Sequence, residues 1–179
     1  MRGLARLFSA LMALFLLAAT WIMLAPPRPL PVPPLTTRLA GPVDHIVIRK
    51  SDRRMTAFRD GRPLKTYRIA LGFAPNGDKR QQGDGKTPEG TFTIDRMNPG
   101  SAYHLSLGLD YPRPQDRARA AALGVDPGGD IFIHGQPNQR PGGEILPGDW
   151  TAGCIAISDA EIGELYAAAR IGTTVEILP

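Results

Sequence analysis

The residues of this chain best suited to do chemistry are one thiol and one imidazole. Cys154 is the only cysteine and ends the segment DWTAGC at 149–154, directly after Gly153. His134 lies twenty positions earlier, at the end of a short apolar run. A thiol becomes an effective nucleophile when a nearby base or positive partial charge promotes loss of its proton. The pair predicts acyl transfer through Cys154, with His134 as the base and with a depressed thiol pKa.

The residues around the thiol predict where a substrate would lie. Glycine allows close approach of a ligand to the backbone, so the N–H groups of Gly153 and Cys154 are candidate oxyanion donors. Ala152 lies in the same turn. Thr151 is expected either to hydrogen-bond locally or to line the pocket, and Trp150 is expected to form a wall of it.

Two residues earlier in the chain are weaker candidates for substrate binding. Arg140 lies in the Gly- and Pro-rich segment between base and nucleophile, where a guanidinium could hold a substrate carboxylate. A solvated surface arginine is an equal alternative. His104 could bind or orient substrate, or it could simply lie at the end of a strand.

Composition excludes several classes of function. The chain has 179 residues, a net charge of +4, and lysines and arginines that are scattered rather than clustered, so no nucleic-acid partner is expected. A single cysteine excludes an internal disulfide and a zinc site built from cysteines. The three histidines form no closely spaced ligand pair. We therefore expect no metal and no cofactor.

The N-terminal segment predicts membrane targeting. Arg2 and Arg6 precede 19 uncharged, mostly apolar residues at 7–25, which is close to the ~20 residues needed to cross a bilayer. Residues 1–25 are therefore predicted to be an apolar helix acting as a signal anchor or signal peptide, with the following chain outside the cytoplasm.

The next segment is rich in proline and predicts a stiff, extended linker at 26–42. The remaining residues, 43–179, are predicted to form one catalytic domain. Periplasm or cell envelope is the expected location, with the inner membrane as a partner through the N-terminal segment.

Alternating apolar residues and turn signals predict a mainly β domain with two short helices. Asp60-Gly61 is a hairpin signal, and Ser158 with Glu161 forms a capping box that begins the second helix. The strands are predicted at 45–49, 55–59, 64–71, 91–94, 103–109, 130–133 and 173–178, with a short apolar piece at 155–157, and the helices at 114–123 and 159–170.

Three segments, in this order, resemble the L,D-transpeptidase catalytic domain family (YkuD type). They are GDGKTPEGTF at 83–92, IFIHG at 131–135 and TAGCI at 151–155. The resemblance implies a mixed β-sandwich-like fold and a cell-envelope location. It also implies chemistry on the diaminopimelate-containing peptide stems of peptidoglycan. Glu89 in the first segment is expected to be structural.

The resemblance also implies a role for each matching site residue. Cys154 matches the nucleophile that forms a thioester with the stem, and His134 matches the base. Gly135 matches the residue whose backbone carbonyl orients that histidine. Resolution of the thioester by an amine would give a cross-link, as in cell-wall biogenesis and the control of cell shape. Resolution by water would make the protein a hydrolase, an L,D-carboxypeptidase or endopeptidase.

Two positions depart from the family pattern. Ala152 stands where a second histidine is usual, and Ala156 stands where a polar or basic residue is common. The form DWTxGCIA resembles a subgroup that includes enzymes releasing a wall-linked lipoprotein from peptidoglycan, which makes such a lipoprotein an alternative partner. A further alternative is a catalytically inactive peptidoglycan-binding module.

Overall fold

The computed structural model describes Met12 and residues 38–140 and 142–179. The predicted anchor and most of the predicted linker lie outside the described residues, and those predictions stay untested. Among the residues that are described, no helix has the length and apolar character needed to span a bilayer.

Within these residues the domain consists of eight strands and two helices. The strands are β1 His45–Arg49, β2 Arg54–Arg59, β3 Arg62–Arg68, β4 Gly90–Asn98, β5 Ser106–Leu109, β6 Phe132–His134, β7 Ile155–Ala156 and β8 Thr174–Leu178. The helices are α1 Pro114–Ala122 and α2 Asp159–Ala168.

The strands form one mixed sheet in the order β3-β2-β1-β8-β4-β5-β6-β7. The β1–β8 and β6–β7 pairs are parallel, and the other neighbours are antiparallel. Beyond β3, Ala70 exchanges two backbone hydrogen bonds of 2.9 Å with Ala156 in β7. The chain after β3 therefore meets the opposite edge, and the sheet curls around its core. This confirms the predicted mainly β architecture with two short helices.

The core follows the two-residue period of the strands. Ile46 and Ile48 in β1 are buried, and their neighbours along the strand are not. Ile162 and Leu165, one turn apart on α2, are buried as well. The other large buried side chains include Met55, Tyr67, Leu71, Phe92, Ile94, Leu107, Leu109, Ile133, Ile155, Ile157, Val175 and Ile177.

Local turn chemistry confirms two predictions. Asp60 and Gly61 join β2 to β3 with φ values of 48° and 71°, the positive range that a two-residue hairpin requires. Glu161 Oε2 accepts a hydrogen bond of 3.1 Å from Ser158 N, and Ser158 Oγ accepts one from Glu161 N. The capping box therefore begins α2 as expected.

Element ends differ from the sequence prediction in places. The strand predicted at 103–109 begins at Ser106, because His104 adopts a left-handed backbone with φ 65° in an exposed turn. The strand predicted at 64–71 runs from Arg62 to Arg68 as β3. The helix predicted at 159–170 ends at Ala168.

Candidate active site

The sheet brings the thiol and the imidazole together through its last two strands. His134 ends β6, and Cys154 directly precedes β7. The two strands pair in parallel, with Ile133 opposite Ile155. Both functional side chains line one cavity of about 550 Å³. Their positions are thus set by backbone hydrogen bonds between strands rather than by loops alone.

The cavity contains most of the side chains expected around the thiol. Trp150, Thr151 and Ala152 all line it. The other lining residues are Asn98, Ser101, Ala102, Tyr103, Ser106, Asp130 and Phe132, together with His134 and Cys154.

Arg140 and His104 are exposed and are not among the lining residues. The backbone N–H of His104 donates to Asn138 Oδ1 at 2.7 Å, and Asn138 does not line the cavity either. The Arg140 N–H donates to Pro137 O at 2.9 Å within a turn. The structure therefore gives neither side chain a place in the cavity wall.

The imidazole of His134 is oriented by a backbone carbonyl. Its Nδ1 lies 2.7 Å from Gly135 O. A carbonyl oxygen can only accept, so Nδ1 carries the proton, and Nε2 of the neutral ring is left free to accept one. Burial lowers the pKa of His134. The ring also packs against Tyr103, at 4.6 Å between centroids, and against Trp150 at 5.8 Å.

Gly135 fits this place because there is no room for a side chain. A Cβ there would lie 2.5 Å from Asp159 Oδ1 and 3.0 Å from Tyr103 O. The Gly135 N–H itself donates to Tyr103 O at 3.0 Å. Close packing on both sides thus fixes the carbonyl that orients His134.

The thiol of Cys154 is half-buried, and its S–H donates to the backbone carbonyl of Asp130 at 3.3 Å. Burial is the largest influence on this group and raises the pKa of the Cys154 thiol. The sequence prediction of a depressed thiol pKa is therefore not met, because burial acts in the opposite direction. A raised thiol pKa beside a lowered imidazole pKa makes the neutral pair the resting form at pH 7.

The turn that carries the nucleophile is built around Thr151. Its Oγ1 donates to Cys154 O at 2.7 Å and accepts from Gly153 N at 3.1 Å. The Gly153 amide, expected from sequence as an oxyanion donor, is thus already engaged by a side chain. The amide of Cys154 remains the stronger candidate for that role.

Gly153 is required by conformation and by space. Its φ of 141° is rarely adopted by other residues, and a Cβ would lie 2.8 Å from Lys86 O. The segment that precedes β4 therefore packs directly against the nucleophile turn.

Two ion pairs hold the segments that surround this turn. Arg53 Nε and Nη2 contact Asp149 Oδ2 at 2.9 and 2.7 Å, and Asp149 Oδ1 also accepts from Leu71 N at 3.0 Å. The buried Lys50 Nζ contacts Glu89 Oε1 at 2.9 Å. Glu89 thus makes the structural contact expected of it.

Sequence reasoning missed several residues of the cavity. Phe132 could have been found, because it lies two positions before His134 on one strand and so faces the same side. Ser106 lies opposite His134 in the β5–β6 register. Tyr103 reaches the imidazole from a turn. Neither contact has a local signature, since both depend on how distant parts of the chain pair.

Comparison with known proteins agrees with this geometry. The family model of the L,D-transpeptidase catalytic domain (YkuD) matches residues 43–177 of this chain. Among curated proteins, the chain is similar to the candidate L,D-transpeptidase YafK of Escherichia coli K12, with 26% identity over 135 residues that cover 72% of this chain and 48% of YafK. The chain therefore spans about half the length of the curated relatives it matches.

Solved structures give the same fold. The helical cell shape determining protein Pgp2 from Campylobacter jejuni is 28% identical with a TM-score of 0.59, over 79% of this chain and 50% of Pgp2. Bd1075 of Bdellovibrio bacteriovorus shares the fold at 21% identity and a TM-score of 0.55, over 79% of this chain and 51% of Bd1075. The predicted mixed β L,D-transpeptidase fold is confirmed. Since the family model covers most of the chain, this protein belongs to the L,D-transpeptidase catalytic domain (YkuD) family.

Proposed function

We propose that this protein is a peptidoglycan-modifying cysteine acyl-transferase, an L,D-transpeptidase that acts on diaminopimelate-containing peptide stems. One observation carries the proposal. His134 has its Nδ1 proton committed to Gly135 O, 2.7 Å away, and shares a cavity with Cys154. A buried imidazole with a free Nε2 in the same cavity as a thiol is the arrangement that nucleophilic acyl transfer needs.

The resting pair is neutral, so the thiol proton moves during the reaction. Nε2 of His134 takes the proton from Cys154 as Sγ attacks the carbonyl of the stem. The oxyanion accepts a hydrogen bond from the Cys154 amide. The C–N bond then breaks, and the protonated His134 gives its proton to the departing amine. A thioester on Cys154 remains.

The acceptor decides the outcome of the second half-reaction. An amine from another stem attacks the thioester, loses its proton to His134 and forms a cross-link. Attack by water instead releases a shortened stem. A role in cell-wall remodelling and cell shape is consistent with the description of Pgp2 as a determinant of helical cell shape. We place this activity in the periplasm or cell envelope, with residues 1–25 as the anchor in the inner membrane.

Incubation of the full chain with defined tetrapeptide stems, followed by intact mass measurement, tests the proposal. A covalent adduct on wild-type protein that is absent from Cys154→Ala, together with dimeric products, is the expected result. His134→Gln should lower turnover by ~100-fold or more, the usual contribution of a general base. An adduct with only shortened stems would establish the hydrolase.

Two results would replace the proposal with an alternative. Binding of stems without adduct or product would indicate the binding module. Release of a wall-linked lipoprotein from sacculi, without cross-linking of free stems, would establish the lipoprotein-releasing amidase.

A further inference from the structure

The side chain of Arg96 lies in a track across the sheet that leads to the cavity. Arg96 in β4 is opposite Gly108 in β5, and Gly108 is opposite Phe132 in β6. A Cβ at Gly108 would lie 2.9 Å from Arg96 Nε and 3.1 Å from Arg96 Cβ. The missing side chain of Gly108 therefore gives Arg96 its path toward Phe132.

The guanidinium at the end of this track contacts three neighbours. Its carbon lies 4.8 Å from the centre of the Phe132 ring, within cation–π distance. Its Nη1 lies 3.2 Å from Asp130 Oδ1. Nε also contacts the adjacent Asp95 Oδ1 at 3.3 Å. An arginine has more N–H donors than these contacts engage.

This charge pair stands beside the nucleophile. Asp130 and Phe132 both line the cavity that holds Cys154. The backbone carbonyl of Asp130 is the group that accepts the thiol S–H at 3.3 Å. A ligand group held by the Asp130 side chain would therefore lie close to the reacting sulfur, since the backbone carbonyl of the same residue contacts that sulfur.

The pair is exposed enough to exchange partners. The side chains of Arg96 and Asp130 are 48% and 80% exposed. Ion pairs in such surroundings contribute little to stability, so a ligand that offers both charges can replace the internal contact at small cost. A guanidinium and a carboxylate side by side are complementary to an ammonium and a carboxylate on one carbon.

We propose that Arg96 and Asp130 form a subsite for a zwitterionic α-amino-acid group on the substrate. Arg96 binds its carboxylate through the planar fork, and Asp130 binds its ammonium. This inference rests on the proposed function, since the far end of a diaminopimelate side chain carries these two charges on one carbon. A stem with lysine at that position keeps the ammonium but lacks the carboxylate.

The test compares two tetrapeptide stems, one with diaminopimelate and one with lysine, on the full chain. Wild type should prefer the diaminopimelate stem in kcat/KM for thioester formation. Arg96→Gln should lower that value roughly two- to fivefold for the diaminopimelate stem, the scale of an ion pair at a half-exposed side chain, and leave the lysine stem unchanged. Arg96→Lys keeps the charge but not the planar fork, so its kcat/KM for the diaminopimelate stem should lie between those of wild type and Arg96→Gln.

Matched variants separate recognition from folding. Asp130→Asn removes the charge yet tolerates the left-handed backbone at φ 55°, and it should weaken both stems, because both carry the ammonium. Arg117→Gln, at an exposed arginine on α1, should change neither stem. An equal change of both stems by Arg96→Gln, or no change of either, would overturn the subsite.

Binding to Cys154→Ala, measured by calorimetry, distinguishes failure of the subsite from failure of the proposed function. In one outcome, wild type forms no thioester, Cys154→Ala binds the diaminopimelate stem more tightly than the lysine stem, and adding Arg96→Gln to that variant removes the preference. The subsite then stands and the acyl-transferase proposal falls. Equal binding of the two stems, or no binding of either, would reject the subsite. Thioester formation on wild type without stem preference would reject the subsite alone.

Discussion

Arg53 holds Asp149 with two nitrogens of its guanidinium, Nε and Nη2, at 2.9 and 2.7 Å from one carboxylate oxygen. The two residues are far apart in the chain, one in the turn between β1 and β2 and one at the start of the nucleophile segment. The same carboxylate accepts the Leu71 N–H at 3.0 Å. Asp149 therefore ties the nucleophile segment by its side chain both to the β1–β2 turn and to the chain that follows β3.

Replacement of Asp149 should loosen this tie. Asp149→Ala leaves Arg53 and the Leu71 N–H without their acceptor, and we expect the free energy of unfolding to fall by about 2 kcal/mol. Asp149→Asn keeps an acceptor for Leu71 and should cost less. Urea denaturation measures both variants. Asp52→Ala, at an exposed aspartate in the same turn, is the control, and a loss as large there would contradict the argument.

The conformation of Gly153 predicts a second effect. Gly153→Ala forces a side chain into φ 141° and against Lys86 O at 2.8 Å, which should cost ~1–3 kcal/mol and displace the nucleophile turn. Thioester formation should fall with it. At Gly163 in α2 an added Cβ meets nothing within 4 Å. Gly163→Ala should therefore stabilise the fold by ~0.5–1 kcal/mol and leave activity unchanged.

The pKa directions at the site predict that the rate of thioester formation is constant over a broad pH range, between the lowered pKa of His134 and the raised pKa of Cys154. The pKa of His134 lies below its ordinary value of 6.5. As the pH falls through that lowered pKa, His134 becomes protonated and can no longer act as a base. At the alkaline side the thiol pKa lies above its ordinary value of 9.0. Alkylation of wild-type Cys154 by iodoacetamide should thus continue to rise through pH 9. A rate that levels off near pH 7 would indicate a thiolate–imidazolium pair instead.

The same histidine should affect stability in acid. The unfolded chain binds a proton at His134 near pH 6.5, whereas the folded chain binds it only at lower pH. The stability of wild type should therefore be retained above pH 6.5 and fall as the pH drops through the lowered pKa. His134→Gln lacks this contribution. Urea denaturation from pH 8 to 5 should give a shallower decline for the variant, and parallel curves would contradict the pKa direction.

Lys50 predicts a larger loss of stability. Its buried Nζ donates to Gly77 O at 2.7 Å, to Thr87 O at 2.9 Å and to Glu89 Oε1 at 2.9 Å. Lys50→Met leaves these acceptors without a donor, including a carboxylate, and should cost ~3 kcal/mol or more. Faster amide hydrogen exchange in residues 76–89 should accompany it. Arg49→Met, at the exposed neighbour on β1, should leave exchange in that segment unaltered.

The sequence was sufficient where the signal is local or chemically rare. A lone cysteine after glycine and a histidine at a strand end predicted the pair that the fold brings into one cavity. The hairpin at Asp60-Gly61 and the capping box at Ser158 were likewise found, because both depend on residues within one turn of chain.

Contacts between distant strands could not be predicted in this way. The path of Arg96 over Gly108 to Phe132 exists only once β4, β5 and β6 are in register. The alternation at 103–109 predicted a longer strand, but the left-handed backbone of His104 turns the chain before Ser106. The sequence also could not show that the Gly153 amide is already occupied. Its N–H donates to Thr151 Oγ1, and from the sequence alone that hydroxyl could equally have faced the substrate.

The place of β8 in the sheet has a consequence for the order of assembly. This strand follows every other described strand in the chain, yet it lies between β1 and β4 in the sheet, parallel to β1 and antiparallel to β4. A chain that emerges from its N-terminus onward cannot complete the sheet between β1 and β4 until residues 174–178 have appeared. Until then the two parts of the sheet on either side of β8 can be linked through contacts at the other edge, such as the two hydrogen bonds between Ala70 and Ala156 beside the nucleophile turn.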